Sequence, residues 1–160
     1  MLDLVVINTG WSHDVDWEML LSRAAIAAVR HTPHAGLETT EMAVEIAIRL
    51  DSDEAVRTLN RDYRGKDAPT NVLSFPMTPP DQLAHSPEPM LGDIILADGV
   101  CRTEASAKNV SVADHATHLV VHGVLHLLGY DHGGDQEAEA MEAIERRVMA
   151  ELGLHDPYED

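Results

Sequence analysis

Cysteine is almost absent: Cys101 is the only one in 160 residues, which excludes a disulfide framework, a zinc ribbon and a redox pair and is compatible with a reducing compartment. Cations are scarce as well. Eleven lysines and arginines stand against 28 aspartates and glutamates, a formal net charge of -17 with neutral histidine, so the broad basic footprint of a nucleic-acid module is missing. Long apolar runs are also lacking. The N-terminal stretch carries Asp3 inside it and no basic flank, unlike a secretory signal, and the stretch from Leu119 to Tyr130 is broken by two histidines and too short for a bilayer. A cytoplasmic chain with no membrane partner is expected. No internal repeat and no linker divides it.

Hydrophobic residues at 44% and charged residues at 24% are close to globular averages, and one domain spanning 1–160 should bury roughly 70% of its unfolded surface. The β-branched stretch Leu2 to Asn8 predicts a strand, and the helical spacing of Trp17, Leu20, Leu21, Ala24 and Ala28 a helix ending near Arg30. Alternation from Met42 to Leu50 predicts a second strand. Asp51 with Glu54 resembles a capping box for a helix ending near Arg64-Gly65. Val72 to Phe75 and Leu91 to Leu96 read as two further strands, separated by a proline-rich loop that could border a site. Gly99 to Lys108 predicts a short helix, Val112 to Leu128 the longest one, closed by Gly129, and Ala138 to Leu152 a last helix with Met141, Ile144 and Val148 in its buried stripe. This order predicts an α+β domain, a small mixed sheet of about four strands covered by helices.

Chemistry concentrates in the histidines. His115, His118, His122 and His126 follow at steps of three, four and four, within about 80° of one helical face. His122 and His126 at i and i+4 can share one metal ion, and Gly129 can turn the chain so that His132 returns as a third ligand. Three imidazoles with an open fourth position describe a catalytic zinc site, not a closed structural one. His118 is a candidate for holding a ligand or touching substrate, and Asp93 and Asp131 for orienting a ligand imidazole. The run is similar to the H-E-x-x-H-x-x-G-x-x-H of metzincin proteases, except that Gly123 replaces the glutamate that acts there as general base. Peptide hydrolysis is therefore disfavoured, although zinc can still lower the pKa of bound water to ~7.

A second cluster, Arg57, Arg61, Arg64 and Lys66, holds four of the eleven cations, and Tyr63-Arg64-Gly65-Lys66-Asp67 leads by way of Thr70-Asn71 into Val72 to Pro76. With Leu91-Gly92-Asp93-Ile94-Ile95 and the run from His122 to His132, these residues resemble the YbeY family of bacterial metal-dependent endoribonucleases, in order and spacing from about Leu59 to Pro157-Tyr158. The resemblance implies a cytoplasmic protein with a reduced zincin-like fold, and one Zn2+ per chain on His122, His126 and His132. It further implies a role for Arg64 in activity, and a place in 16S rRNA 3'-end maturation and ribosome quality control. The expected partners are single-stranded RNA, rRNA and ribosomal particles, not DNA. Arg64 and His118 are the catalytic candidates. A planar guanidinium suits two phosphate oxygens. RNA contact should be confined to the metal cleft and the cations from Arg57 to Lys66, because ten acidic residues from Asp131 onward repel phosphate. A non-catalytic zinc-containing ribosome-assembly factor and a zincin-type hydrolase on another substrate are the alternatives.

Overall fold

Period-two burial marks the first two strands of the computed structural model, which describes residues 1–159, whereas the other two are buried in runs. Strands β1 (Leu2–Asn8), β2 (Val44–Asp51), β3 (Val72–Pro76) and β4 (Met90–Ala97) form one sheet in the order β1-β2-β4-β3. β1 and β4 run parallel to β2 on its two sides, and β3 is antiparallel to β4, so the α+β class and the mixed four-stranded sheet are as expected. Five helices accompany it among the described residues: α1 (Trp17–Arg30), α2 (Asp53–Arg64), α3 (Asp98–Lys108), α4 (Val112–Leu127) and α5 (Asp135–Glu151).

Helix starts follow local hydrogen-bonding chemistry. The side chains of Asp16 and Ser111 accept from the backbone N–H groups of Met19 and Asp114 at 3.1 and 3.0 Å. The cap of α2 is Ser52, not Asp51: its hydroxyl accepts from Ala55 N–H at 3.1 Å, and β2 runs one residue further than its alternation suggested. Asp51 is therefore a strand residue, held by Arg49 at 2.8 Å. The longest helix is α5 at 17 residues, one more than α4, because Leu128 already belongs to the turn.

The core lies between one face of the sheet and the helices α1, α4 and α5. Ala24, Ala25, Ala27 and Ala28 give α1 a small-residue face, and Leu119, Val120, Val124 and Leu125 fill α4. Each large apolar side chain so buried contributes roughly 1.5–3 kcal/mol relative to exposure. On the other face a smaller cluster, Val56, Leu73, Ile95 and Ala97, joins α2 to β3 and β4. The proline-rich segment contains a 3-10 turn, Pro80–His85, pinned by buried Leu83; only Pro76, at its start, reaches the cleft described below. No helix among the described residues is long and apolar enough to cross a membrane.

Candidate metal centre

Helix α4 carries four histidines on one face but sends them to different places. His115 is buried and faces Glu104 at 2.8 Å, and His118 is buried and faces Glu145 at 2.8 Å. His122 and His126, one and two turns further on, reach a cleft. There the helix stops in a Schellman turn: Gly129 adopts φ 100°, its N–H donates to His126 O at 3.0 Å, and Tyr130 N–H donates to Leu125 O at 3.0 Å. A side chain at Gly129 would be strained in this left-handed conformation. The chain then reverses, Asp131 accepts from His132 N–H at 2.7 Å, and the His132 ring comes within 5.5 and 5.0 Å of the rings of His122 and His126.

One nitrogen from each of these three histidines lies within 4.8 Å of the others, and the Nε2 atoms of His122 and His126 are 3.0 Å apart. The donor set is all imidazole, the chemistry that zinc accepts at roughly 2.0 to 2.1 Å. The other ring nitrogens of His122 and His126 are engaged from behind. His126 Nδ1–H donates to Tyr130 O at 2.9 Å, and His122 Nδ1–H donates to Glu145 Oε1 at 3.0 Å. This fixes the tautomer that leaves each Nε2 lone pair for an ion. Burial, joined by the neighbouring His122, lowers the His126 pKa and keeps that ring neutral, the form that binds metal.

Glu145 is the residue that the sequence did not disclose. Fully buried on α5, it accepts from His118 Nε2 and His122 Nδ1 on one oxygen and from the Tyr158 hydroxyl at 2.7 Å on the other. Burial raises its pKa, but the hydrogen bonds from His118 and His122 outweigh that and bring it down to about 2. The available signal was a carboxylate in the apolar stripe, four residues after Met141 and three before Val148. Neither aspartate proposed for this task holds an imidazole. Asp131 serves the turn, and Asp93 points to the opposite side of the sheet, beside Ala47, Arg49 and Tyr63, because its neighbours Gly92 and Ile94 face α4.

The cleft, about 580 Å³, is bounded on one side by the three histidines and on the other by Arg64 and Lys66. Arg64 is the last residue of α2; one guanidinium nitrogen donates to Ser74 O at 3.1 Å, and Ser74 Oγ–H donates to Gly123 O at 3.3 Å, so β3 links the arginine to α4. Buried Asn60 donates to Ala68 O at 2.8 Å and holds the intervening loop. His118 lies behind His122 and does not line this cleft. Of the other cations, Arg57 is paired with Asp67 at 2.8 Å and Arg61 with Asp62 at 3.1 Å, whereas Arg64 and Lys66 have no carboxylate partner among the described residues.

Residues 13–153 match the family model described as Endoribonuclease YbeY. An Endoribonuclease YbeY of Rhizorhabdus wittichii is 54% identical over 153 residues, covering 92% of this chain and 90% of the relative. One of Sphingopyxis alaskensis is 51% identical over 155 residues, covering 94% and 92%. The solution structure of a Thermotoga maritima protein shares the fold at a TM-score of 0.52 and 21% identity, over 98% of this chain and all of that one. On the match of nearly its whole length, the chain belongs to the endoribonuclease YbeY family, a family of RNA-cleaving hydrolases.

Proposed function

We propose that this chain is a zinc-dependent endoribonuclease that cuts single-stranded RNA, and that its cellular substrate is the 3' end of 16S rRNA during ribosome maturation and quality control in the cytoplasm. The observation that carries the proposal is the meeting, in one cleft, of three imidazoles that each bring one ring nitrogen within 4.8 Å of the others and an arginine free of any carboxylate among the described residues. Zinc bound there supplies Lewis acidity toward a phosphodiester. His122, His126 and His132 hold it. Arg64 places a permanently charged fork toward the phosphate and stabilises the charge that grows on its oxygens, while Lys66 attracts the strand at the cleft mouth. His118, buried against Glu145, acts on the ligand's orientation and not on the substrate.

Two rival readings lose ground on specific residues. A protease would need a base where Gly123 stands, and Gly123 is packed against Ile94 and Ser74. A non-catalytic ribosome-assembly factor is favoured by the pairing of Arg57 and Arg61 with aspartates, but it leaves without a task an arginine, Arg64, that has no carboxylate partner among the described residues and shares the cleft with the three histidines. The deciding experiment is turnover of a defined single-stranded RNA by wild type and His126→Ala, prepared side by side, with metal analysis of both. Wild type should hold about one equivalent of zinc and cleave; His126→Ala should do neither. Equal cleavage by both would remove the metal from the mechanism, and the end groups of the product would separate attack by water from attack by the ribose 2'-OH.

A further inference from the structure

We propose that Tyr158, near the C-terminal end of the chain, is a positioning residue of the metal centre: through Glu145 it governs how tightly His122 holds its ion. The inference rests on the three-histidine metal reading and extends it to a segment that contributes no ligand.

The geometry is a relay of three hydrogen bonds on one carboxylate. Glu145 Oε1 accepts from His122 Nδ1 and His118 Nε2, at 3.0 and 2.8 Å, and Oε2 accepts from the Tyr158 hydroxyl at 2.7 Å. The carboxylate has no exposed surface, and the Tyr158 hydroxyl is the partner of Oε2 among the described residues. A buried acceptor left unpaired is costly, and a carboxylate pinned at one oxygen can swing. The swing would loosen the Nδ1 contact that sets the His122 ring, and outer partners of this kind tune metal affinity.

Tyr158 is itself placed with care. Asp156 accepts from Tyr158 N–H at 2.9 Å and from Arg146 Nε at 3.3 Å, and the Arg146 guanidinium lies 5.5 Å from the centre of the Tyr158 ring. Lys108 donates to Pro157 O at 3.4 Å, and the His118 ring meets Tyr158 edge to face at 5.7 Å. These contacts bring a chain end across α3, α4 and α5 and aim one hydroxyl at one carboxylate. Simple packing would be served equally well by phenylalanine.

The test is zinc affinity, read by competition with a calibrated chelator and not by RNA cleavage, in wild type, Tyr158→Phe, Glu145→Gln and the double variant. Tyr158→Phe should weaken zinc binding about tenfold and Glu145→Gln by roughly 10 to 100-fold. In the Glu145→Gln background the Tyr158→Phe change should cost much less than tenfold, because the charged acceptor through which it acts has gone. A merely structural tyrosine would give additive losses, and additivity overturns the proposal, as does unchanged affinity in Tyr158→Phe. Linkage supplies a second measurement on wild type alone, needed if a variant does not fold. If Tyr158 tightens zinc, zinc must tighten the segment around Tyr158, and hydrogen exchange at its backbone amide should slow when zinc is added. Exchange that ignores zinc overturns the relay. A wild type that binds no zinc overturns the three-histidine reading and the relay together, whereas zinc held equally by all four proteins overturns the relay alone.

Discussion

Across the cleft, His122 and Arg64 face the same space but are anchored by different means. His122 stands on a helix that is buried over most of its length, and its ring is fixed from behind by a fully buried carboxylate on α5. Arg64 ends a largely polar helix, is exposed, and makes a single backbone hydrogen bond, to Ser74 O. The difference follows from the chemistry each side serves. A metal ligand must be held within a few tenths of an ångström and in one tautomer, which calls for burial and a second partner. A cation that meets a mobile polyanion keeps its use only while no carboxylate neutralises it.

The sharpest way to break this comparison is to disturb the buried side at Gly123. A Cβ there would lie 3.0 Å from Ile94 Cδ1 and 3.1 Å from Ser74 Oγ, tighter than ordinary contact. Gly123→Glu, which restores the metzincin pattern in sequence, would also press a carboxylate between β3, β4 and α4. Overpacking and a buried charge together should cost at least about 3 kcal/mol. At roughly 2–4 °C per kcal/mol for a chain of this size, calorimetry should show a melting point lower by roughly 6–12 °C, and assays on unstructured peptides no proteolysis. A variant that melts like wild type, or gains zinc-dependent peptidase activity, would show that the helix is not seated on the sheet as closely as Gly123 implies.

The next effect lies on the exposed side and is catalytic. Arg64→Ala should lower RNA turnover by roughly 10² to 10³, the cost seen for single charge-stabilising donors, with zinc content and melting temperature near wild type. Arg64→Lys keeps the charge, loses the fork, and should recover only part of the rate. Full activity in Arg64→Ala would return the arginine to a helix-end role and leave the histidines to act alone.

The two sides also differed in how legible they were. The spacing of His122, His126 and His132 is a local property of one helix and its turn, so periodicity and Gly129 were enough to bring them together. The sheet was legible for the same reason, since apolar and β-branched runs, and alternation in β2, are local, and the shift from Asp51 to Ser52 at the α2 cap came from one extra residue of pairing between β2 and β4. Arg64 owes its place to the docking of α2 beside β3, which no local pattern encodes; the cation cluster and family likeness pointed to the residue but not to its neighbours. Glu145, 23 residues from His122, reaches it through the packing of α5 on α4. Asp93 could not be excluded in advance, because β4 is apolar on both faces and only the structure shows that Gly92 and Ile94 turn toward α4.

The smallest effect sharpens the comparison by asking which cations the RNA meets. The sequence suggested the whole cluster from Arg57 to Lys66, but Arg57 holds Asp67 with two hydrogen bonds, at 2.8 and 3.2 Å, and Arg61 holds Asp62. Arg57 raises no net field at the cleft while that pair stands, because the Asp67 carboxylate, its pKa lowered by the hydrogen bond from Arg57, stays ionised. Exposed pairs of this kind contribute little to stability. If Arg64 and Lys66 alone neutralise phosphates, log affinity for a short single-stranded RNA should fall with log salt at a slope of about -1.4, at ~0.7 per phosphate. The measurement is fluorescence anisotropy with metal removed to prevent cleavage. Lys66→Gln should bring the slope to about -0.7, and Arg57→Gln should leave it where it was. A slope nearer -2.8 that Arg57→Gln reduces would mean that RNA takes Arg57 from Asp67, and the exposed side of the cleft would then be a surface that rearranges to meet its substrate.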